Sequence, residues 1–226
     1  MNNQDTRPNG TRTYTLTSLP NEIGSLETLE ELYLSNVGLM ALPMTINGLT
    51  GLAYMDLRGN ELTSLPNTIG GMSSLETLYL SGSGSESANK LSTLPVEFGE
   101  LSNLKNLYMD YMRKYENGGY MYYLTSLPST MNQLSSLEVF TASHNAIEGT
   151  LDLSNITTLT RLNISDNKIS DLKIDAPTTN FIAYSNVNYY FNITNNPFIS
   201  CVEVSTDEVE AWLTCLLYTS PSPRDA

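Results

Sequence analysis

Leucine recurs along the chain in short clusters of the form L-x-x-L-x-L and close variants of it. Within a cluster hydrophobic and polar residues alternate, and a period of two predicts a short β-strand with one buried face. In the cluster that contains Tyr54 to Arg58, Met55 and Leu57 are predicted to point inward, and Tyr54, Asp56 and Arg58 outward. The clusters begin at Leu29, Leu52, Leu75, Leu104, Leu137 and Leu159.

The spacing of these clusters shows that one unit has been copied along the chain. Successive clusters start 23, 23, 29, 33 and 22 residues apart, so two of the copies carry an insertion. A Leu-Pro step follows most strands, as at Leu65-Pro66, and starts a short helical or irregular return segment. One such unit buries its hydrophobic side chains only against its neighbours. The sequence therefore predicts an α/β repeat, a solenoid with a parallel β-sheet on the concave face and short helical or irregular segments on the convex face.

The run from Leu62 to Gly70 resembles the L-x-x-L-P-x-x-I-G unit of Ras-suppressor-like and plant-type leucine-rich repeats. Near copies lie at 16–24 and 39–48, and the resemblance covers about residues 16–170. It implies a leucine-rich-repeat solenoid, a fold that serves many unrelated partners. Asn60 is expected to bond to the backbone of neighbouring coils. Asn145 and Asn167 hold the same place, and Val37 and Ser83 are expected to interrupt this series.

The C-terminal part departs from the repeat. Residues 195–204 resemble the N-P-x-L-x-C-I-x-V closing segment of secreted bacterial leucine-rich-repeat proteins, which implies a cap in which Val202, Val204 and Trp212 cover the last coil. The expected organisation is a frayed segment at 1–15, repeats at 16–179, and a C-terminal repeat with cap at 180–214.

The last residues, 215–226, are interpreted as an artefact, because Cys215 to Asp225 match a translated sequencing adapter. The chain is then expected to be a fragment. Cys201 would have no disulfide partner, because Cys215 belongs to the artefact.

The outward positions of the strands are candidates for recognition, because buried leucines leave these side chains free for function. Tyrosine offers a large rigid contact area with a polar tip. The alternative is that these residues are ordinary β-formers on an exposed face. The candidate contact residues of the concave face are Tyr33, Tyr54, Asp56, Glu76, Tyr79, Tyr108 and Arg161.

The two insertions lie in neighbouring coils. Residues 81–90 are rich in Gly and Ser and predict a flexible loop. Residues 110–123 predict a β-hairpin with a turn at Asn117-Gly118-Gly119. Its tyrosines either form a second contact patch or pack onto their own coil. The candidate contact residues of the hairpin are Tyr111, Tyr115, Tyr120 and Tyr122.

Charge and residue chemistry narrow the function. A net charge of −13 argues against nucleic acid and anionic membranes as partners, and no apolar run is long enough for membrane insertion. No His/Cys/carboxylate group has metal-ligand spacing, and no nucleophile has a base nearby, so the sequence predicts no metal site, no cofactor and no enzyme activity. His144, the single histidine, is expected to be an exposed residue at a strand end. Asn-x-Ser/Thr triplets, as at Asn163 and Asn192, are interpreted as chance.

The sequence thus predicts a non-catalytic binding module that recognises a protein or a glycan through the concave face and the tyrosine-rich hairpin. Resemblance to the secreted bacterial closing segment predicts a secreted or cell-surface protein. Resemblance of the coils to the Ras-suppressor and plant-type units leaves an alternative, an intracellular (cytoplasmic) signalling scaffold or regulatory segment. A third possibility is an arm of a larger enzyme whose catalytic domain lies elsewhere.

Overall fold

The computed structural model describes residues 4–6, 12–14, 16–82, 88–175, 191–199 and 201–204, the first two of these segments and the last as backbone only. Short 3-10 helices occupy Asn21–Ser25 (η1), Met44–Gly48 (η2), Asn67–Gly71 (η3), Val96–Glu100 (η4) and Ser129–Gln133 (η5). The strands are, in chain order, β1 (Gln4–Thr6), β2 (Arg12–Tyr14), β3 (Glu31–Tyr33), β4 (Tyr54–Asp56), β5 (Thr77–Tyr79), β6 (Asn106–Tyr108), β7 (Arg113–Glu116), β8 (Gly119–Tyr122), β9 (Val139–Thr141), β10 (Glu148–Leu153), β11 (Arg161–Asn163), β12 (Lys168–Ile174), β13 (Phe191–Asn192) and β14 (Cys201–Val204).

A parallel sheet forms the concave face, as the repeat predicts. Its order in the described part of the chain is β3-β4-β5-β6-β9-β11-β13, so each coil contributes one strand. The central residues of adjacent strands are in register, and Met55, Leu78 and Phe140 are fully buried in one continuous core. The predicted solenoid and its concave parallel sheet are confirmed. The inward direction of Met55 and Leu57 is confirmed as well.

The convex face is built from stacked 3-10 helices, and the I-G pair of the repeat explains how closely they pack. A Cβ atom on Gly48 would lie 2.2 Å from the carbonyl oxygen of Gly24, and one on Gly70 would lie 2.3 Å from that of Glu97. Neighbouring helices therefore meet backbone to backbone, which only glycine permits at these positions. The Thr68 hydroxyl adds a 2.7 Å hydrogen bond to the carbonyl of Met44 in the preceding helix.

Asparagine side chains bond neighbouring coils to one another inside the turns after β4, β5, β9, β11 and β13, whereas Val37 and Met112 hold this place after β3 and β6. The amide of Asn60 donates to the carbonyls of Leu34 and Leu57, and its oxygen accepts from two backbone N–H groups. The prediction that the series is interrupted at Ser83 is wrong, because Asn89 holds the equivalent place in this coil. Asn89 is fully buried and donates to the carbonyls of Leu57 and Leu80. We call this series of stacked asparagines the asparagine ladder. The chain departs from it in the insertion and resumes it at Asn89, nine residues after Leu80.

In the C-terminal coils the convex face changes from helix to strand, which the sequence analysis did not predict. From Glu148 onward the chain lacks the Leu-Pro step, and β10, β12 and β14 form a second parallel sheet that continues the column of 3-10 helices. Inward residues alternate along β10, so that Leu151 and Leu153 are buried and Asp152 between them is half-buried. The change therefore begins at Glu148, before the predicted C-terminal repeat with cap at 180–214.

The two ends of the described chain differ in architecture. Residues 191–199 form a further coil whose Asn196 bonds to the carbonyls of Ile164 and Ile193, and β14 then pairs with β12. At the other end β1 and β2, within the segment expected to be frayed, pair antiparallel. The side chains of Val202 and Val204, together with Trp212, the Cys201–Cys215 pairing, the loop at 83–87 and the segment 215–226, lie outside the described residues.

Candidate functional site

Four tyrosines from consecutive strands form a continuous aromatic row on the concave face. We call Tyr33, Tyr54, Tyr79 and Tyr108 the tyrosine row. Ring centroids are 5.0 Å apart between Tyr33 and Tyr54 and 5.6 Å between Tyr54 and Tyr79, and Tyr79 stacks on Tyr108 at 4.3 Å with an interplanar angle of 6°. Tyr33 is 60 % exposed, and the other three rings are half-buried. The structure thus brings all four predicted tyrosines into one surface.

Tyr54 reaches the row from a different strand position than its neighbours. Tyr33, Tyr79 and Tyr108 lie at the third residue of their strands, where β4 has Asp56 instead. Tyr54 lies at the first residue of β4, and its ring spans diagonally to both neighbouring rings. Diagonal neighbours in a sheet are within reach of aromatic side chains, so the row stays unbroken although one coil lacks a tyrosine at the shared position.

Asp56 is a correction to the predicted site. It was expected to be exposed to solvent. It keeps the outward strand position that Tyr33 and Tyr79 share, but it is only 2 % exposed, and its carboxylate binds Arg58. The Arg58 Nε atom donates to Asp56 Oδ1 at 3.0 Å, and Arg58 Nη2 binds the second oxygen. The Arg58 guanidinium in turn lies 4.8 Å from the centroid of the Tyr79 ring. Asp56 therefore positions Arg58 against the tyrosine row, and Arg58 is the residue that reaches the surface.

The same contacts set the protonation of this group. Burial opposes ionisation of Asp56, but hydrogen bonds from the Arg58 side chain and backbone outweigh it and hold the pKa of the carboxyl below its ordinary value. The hydrogen bond to Asp56 raises the pKa of Arg58. The pair is consequently ionised at neutral pH, and Arg58 presents a fixed positive charge beside Tyr79.

The hydroxyls of Tyr33, Tyr54 and Tyr108 stay protonated at neutral pH, because the pKa of each is raised. The hydrogen bond from Tyr33 Oη to the Glu31 carboxylate, 2.8 Å long, is the main cause that raises the pKa of Tyr33. Burial is the main cause for Tyr54 and for Tyr108. A protonated hydroxyl both donates and accepts a hydrogen bond. The row therefore offers ring surface together with polar edges.

The C-terminal half of the concave face carries small polar residues, several of which are engaged within the fold. Thr141 and Ser143 are buried, and their hydroxyls donate to the Asp110 carboxylate. The Asn163 side chain accepts hydrogen bonds from the backbone N–H and hydroxyl of Ser165. Asn192 and Thr194 repeat this pattern. These two Asn-x-Ser/Thr triplets thus have a structural reason that the sequence analysis did not give.

Two charged candidates remain at the surface of the concave face. Glu76 forms an ion pair with Lys105 of the next coil at 3.0 Å. Arg161 is exposed on β11. Burial raises the pKa of Tyr108, and the positive charge of Arg161 opposes part of this rise. Exposed ion pairs contribute little to stability, so these side chains are available for contacts with a partner.

The predicted β-hairpin is confirmed, and its tyrosines form a second aromatic surface. β7 and β8 pair antiparallel around Asn117 and Gly118, which both have positive φ as a tight turn requires. The Arg113 guanidinium lies 3.9 Å from the Tyr120 ring centroid and 5.1 Å from that of Tyr111. The tyrosines are 39 to 51 % exposed, so the rings do not bury themselves on their own coil. We call Tyr111, Arg113, Tyr115, Tyr120 and Tyr122 the hairpin patch.

His144 links the hairpin patch to the following coil and is a second correction. It was expected to be an exposed strand-end residue, but it is half-buried in the turn after β9. Its ring stacks on Tyr111 at 4.5 Å, and its Nδ1 atom lies 3.5 Å from the Asp166 carboxylate. Tyr111 and His144 both have φ near +57°, at 58° and 56°. Bulky residues rarely adopt this backbone region, and here it places the two rings face to face.

The cations of both surfaces, Arg58 and Arg113, are not among the residues predicted for the site. A sequence signal for Arg58 exists, because Asp56-Leu57-Arg58 puts opposite charges at positions i and i+2, on one face of an extended strand. No such signal exists for Arg113, because its stacking on the Tyr120 ring depends on the register between the two hairpin strands.

The described residues hold neither a group of three or more His, Cys, Asp or Glu side chains suited to a metal ion nor a helix long and apolar enough to cross a membrane. The chemistry that these residues do present is aromatic surface, fixed guanidinium groups and hydrogen-bonding hydroxyls.

Stacked repeats with a parallel sheet on the concave face place the chain in the class of solenoid repeat proteins, whose concave surfaces commonly serve as binding modules. The sequence profile described as "Leucine-rich repeat region" matches residues 10–174, and the chain belongs to the leucine-rich-repeat family. No protein of curated function matches the chain in sequence.

Solved structures share the fold. A plant peptide hormone receptor, RGFR1 in complex with RGF2, is similar over 89 % of this chain with 22 % identity and a TM-score of 0.53. Internalin C2 of Listeria monocytogenes is similar over 85 % with 22 % identity and a TM-score of 0.52. InlP of Listeria monocytogenes is similar over 76 % with 26 % identity and a TM-score of 0.52. The chain spans 28 % of the receptor chain, 78 % of internalin C2 and 47 % of InlP.

Proposed function

We propose that the protein is a non-catalytic recognition module that binds a protein partner through the tyrosine row, with the hairpin patch as a second contact. The observation that carries this proposal is the continuity of the row, in which four rings from four coils contact one another on the face that the fold leaves open.

The arrangement of the rings favours a protein over a glycan. Sugars stack on an open aromatic face, whereas Tyr79 already has Arg58 and Tyr108 against its ring. Its contribution is an edge and a hydroxyl on a rigid, pre-organised surface, and tyrosines of this kind are enriched in protein interfaces. Because the rings are fixed by one another, binding costs little side-chain entropy.

Secretion or display at the cell surface belongs to the same proposal. Its support is the resemblance of residues 195–204 to the closing segment of secreted bacterial leucine-rich-repeat proteins. The receptor RGFR1 is a relative in fold whose structure contains the peptide RGF2. A protein or peptide ligand of this chain is consistent with that example.

The test uses ligands selected without bias for a site. A phage library of random twelve-residue peptides is panned against the immobilised full chain, and the enriched peptides are synthesised and titrated against variants. Tyr79→Ala and Tyr108→Ala each remove a ring from the stacked pair, and Val96→Ala, at an exposed apolar position of η4, is the control on the opposite face. Truncation of a central contact residue should weaken binding about tenfold or more, and the control should not.

Far-UV circular dichroism and thermal melting check that the variants keep the fold. Equal affinity of the tyrosine variants and the parent chain, loss of affinity in Val96→Ala alone, or failure to enrich any peptide would each contradict the proposal. A glycan-array signal that Tyr79→Ala abolishes, with no peptide enriched, would assign the row to a glycan instead. A much lower melting temperature of the tyrosine variants would make the row a structural feature.

A further inference from the structure

The molecule itself shows how its tyrosines accommodate a cation. Arg58 lies 4.8 Å from the centroid of Tyr79 while the Asp56 carboxylate holds the guanidinium from the side. Arg113 lies 3.9 Å from the centroid of Tyr120 and donates a hydrogen bond to the hydroxyl of Tyr122. In both places a guanidinium is attracted by the negative electrostatic potential over an aromatic ring face.

The N-terminal end of the tyrosine row has similar components, and among the described side chains no guanidinium lies over the Tyr33 or Tyr54 ring as Arg58 lies over Tyr79. The Tyr33 and Tyr54 rings lie 5.0 Å apart at a tilt of 38°, and the Glu31 carboxylate lies 2.8 Å from the Tyr33 hydroxyl. Arg58 follows the inward residue Leu57 of its coil, and the residue at the equivalent place after Leu34 is Ser35. A ring pair and a carboxylate are therefore present, and the coil supplies a short neutral side chain where its neighbour supplies arginine.

We infer that Tyr33, Tyr54 and Glu31 form a binding site for an arginine side chain of a basic partner segment, an inference that rests on the proposed function. Tyr33 is the most exposed ring of the row, so an incoming side chain reaches it without rearrangement. Glu30 and Glu31 are both exposed here, and the whole chain carries a net charge of −13, which favours a cationic partner. Arginine is favoured over lysine because its planar group stacks on rings and binds carboxylates in a bidentate manner.

The experiment observes the tyrosine rings of the full chain directly. Tyrosine is labelled with ¹³C in the rings, and the signals of Tyr33, Tyr54, Tyr79 and Tyr115 are assigned by substitution. The probe is the peptide acetyl-Gly-Arg-Gly-Arg-Gly-amide at low ionic strength, and its control is the same peptide with citrulline, which has the shape of arginine without the charge. The signals of Tyr33 and Tyr54 should shift in a saturable way with the arginine peptide only.

Matched variants separate the site from general charge attraction. Glu31→Gln should raise the half-saturating concentration by about two- to fivefold, and so should Tyr33→Leu when Tyr54 is observed. Glu22→Gln, on η1 of the same coil and also exposed, removes one negative charge away from the concave face and should leave it unchanged. Tyr115→Leu removes an equally accessible ring from the hairpin patch and should also leave it unchanged.

Two outcomes overturn the inference. One is an equal response to the arginine and citrulline peptides. The other is an equal loss in Glu31→Gln and Glu22→Gln, because the peptide then responds to net charge alone. Either result leaves the proposed function in place if peptides from the unbiased selection still lose affinity in Tyr79→Ala and Tyr108→Ala. Loss of that dependence would instead remove the proposed function itself, whatever the arginine peptide does.

Discussion

Replacement of Asn60 by alanine is the most direct test of how neighbouring coils are held together. Asn60 is fully buried in the turn after β4, and its side chain bonds only to the backbone. Its oxygen accepts from the N–H groups of Val37 at 3.2 Å and Leu39 at 3.0 Å, and its nitrogen donates to the carbonyls of Leu34 at 2.7 Å and Leu57 at 2.9 Å. Three of these four partners belong to the preceding coil.

The expected loss in the free energy of unfolding follows from these four hydrogen bonds. A hydrogen bond contributes about 0.5–1.5 kcal/mol net, and a buried group left without its partner costs about 1–3 kcal/mol. Water that enters the space left by the side chain restores part of the loss. We therefore expect Asn60→Ala to lower the free energy of unfolding by about 3–5 kcal/mol, a large share of the roughly 5–15 kcal/mol that stabilises an average domain.

The assay is urea denaturation followed by far-UV circular dichroism. Asn67→Ala is the matched control, because Asn67 is an exposed asparagine on η3 of the same coil. Asn60→Asp gives a second comparison, since a carboxylate still accepts from Val37 and Leu39 but cannot donate to the two carbonyls. A loss below about 1 kcal/mol, equal to that of Asn67→Ala, would refute the reasoning, because the four bonds would then contribute no net stability.

Three further predictions concern the core, the convex face and the buried ion pair. Leu78→Ala should cost about 2–5 kcal/mol in urea denaturation, because Leu78 is fully buried at the centre of β5, and a negligible cost would mean that the strand register is wrong. Gly70→Ala should cost about 1–3 kcal/mol, because the new Cβ would lie 2.3 Å from the carbonyl oxygen of Glu97, whereas Gly119→Ala, with open space around it, should be near neutral. The lowered pKa of Asp56 means that its charged form stabilises the fold at a pH above the ordinary value of 3.8, and that this stabilisation is lost as the pH falls through the lower folded-state value. Asp56→Asn should therefore reduce stability at pH 7 and differ less from the parent chain at acid pH, and a difference that is constant with pH would show that the charge of Asp56 contributes nothing.

The repeat could be predicted because its signal is local. Burial of alternate side chains requires hydrophobic residues two positions apart within one strand, and each coil repeats that requirement, so residues such as Met55, Leu57 and Leu78 identify both strand and inward face. The hairpin was predictable for the same reason, since Asn117 and Gly118 accept the positive φ of a two-residue turn.

The candidate site could be predicted only in part. The four tyrosines were recognised as outward residues, but alternation within a strand gives no account of what an outward side chain does next. Asp56 was expected to face solvent because it follows the inward residue Met55, and successive side chains of a strand point to opposite faces. In the structure it turns to Arg58, and Arg58 turns to Tyr79 of the following coil.

The sequence by itself determined the family of fold, the inward face of every described coil from Leu52 to Leu162, and the position of the aromatic residues. Only the tertiary structure decided how the coils meet. Asn89 continues the asparagine ladder because the chain returns to the core after an insertion, and Tyr54 joins the tyrosine row because its ring reaches diagonally past Asp56. Contacts of this kind join residues 20 or more positions apart, so they depend on the register between coils and on the space around each side chain. Hydrophobic periodicity specifies each coil separately. It carries no information on the register between coils or on the space around each side chain.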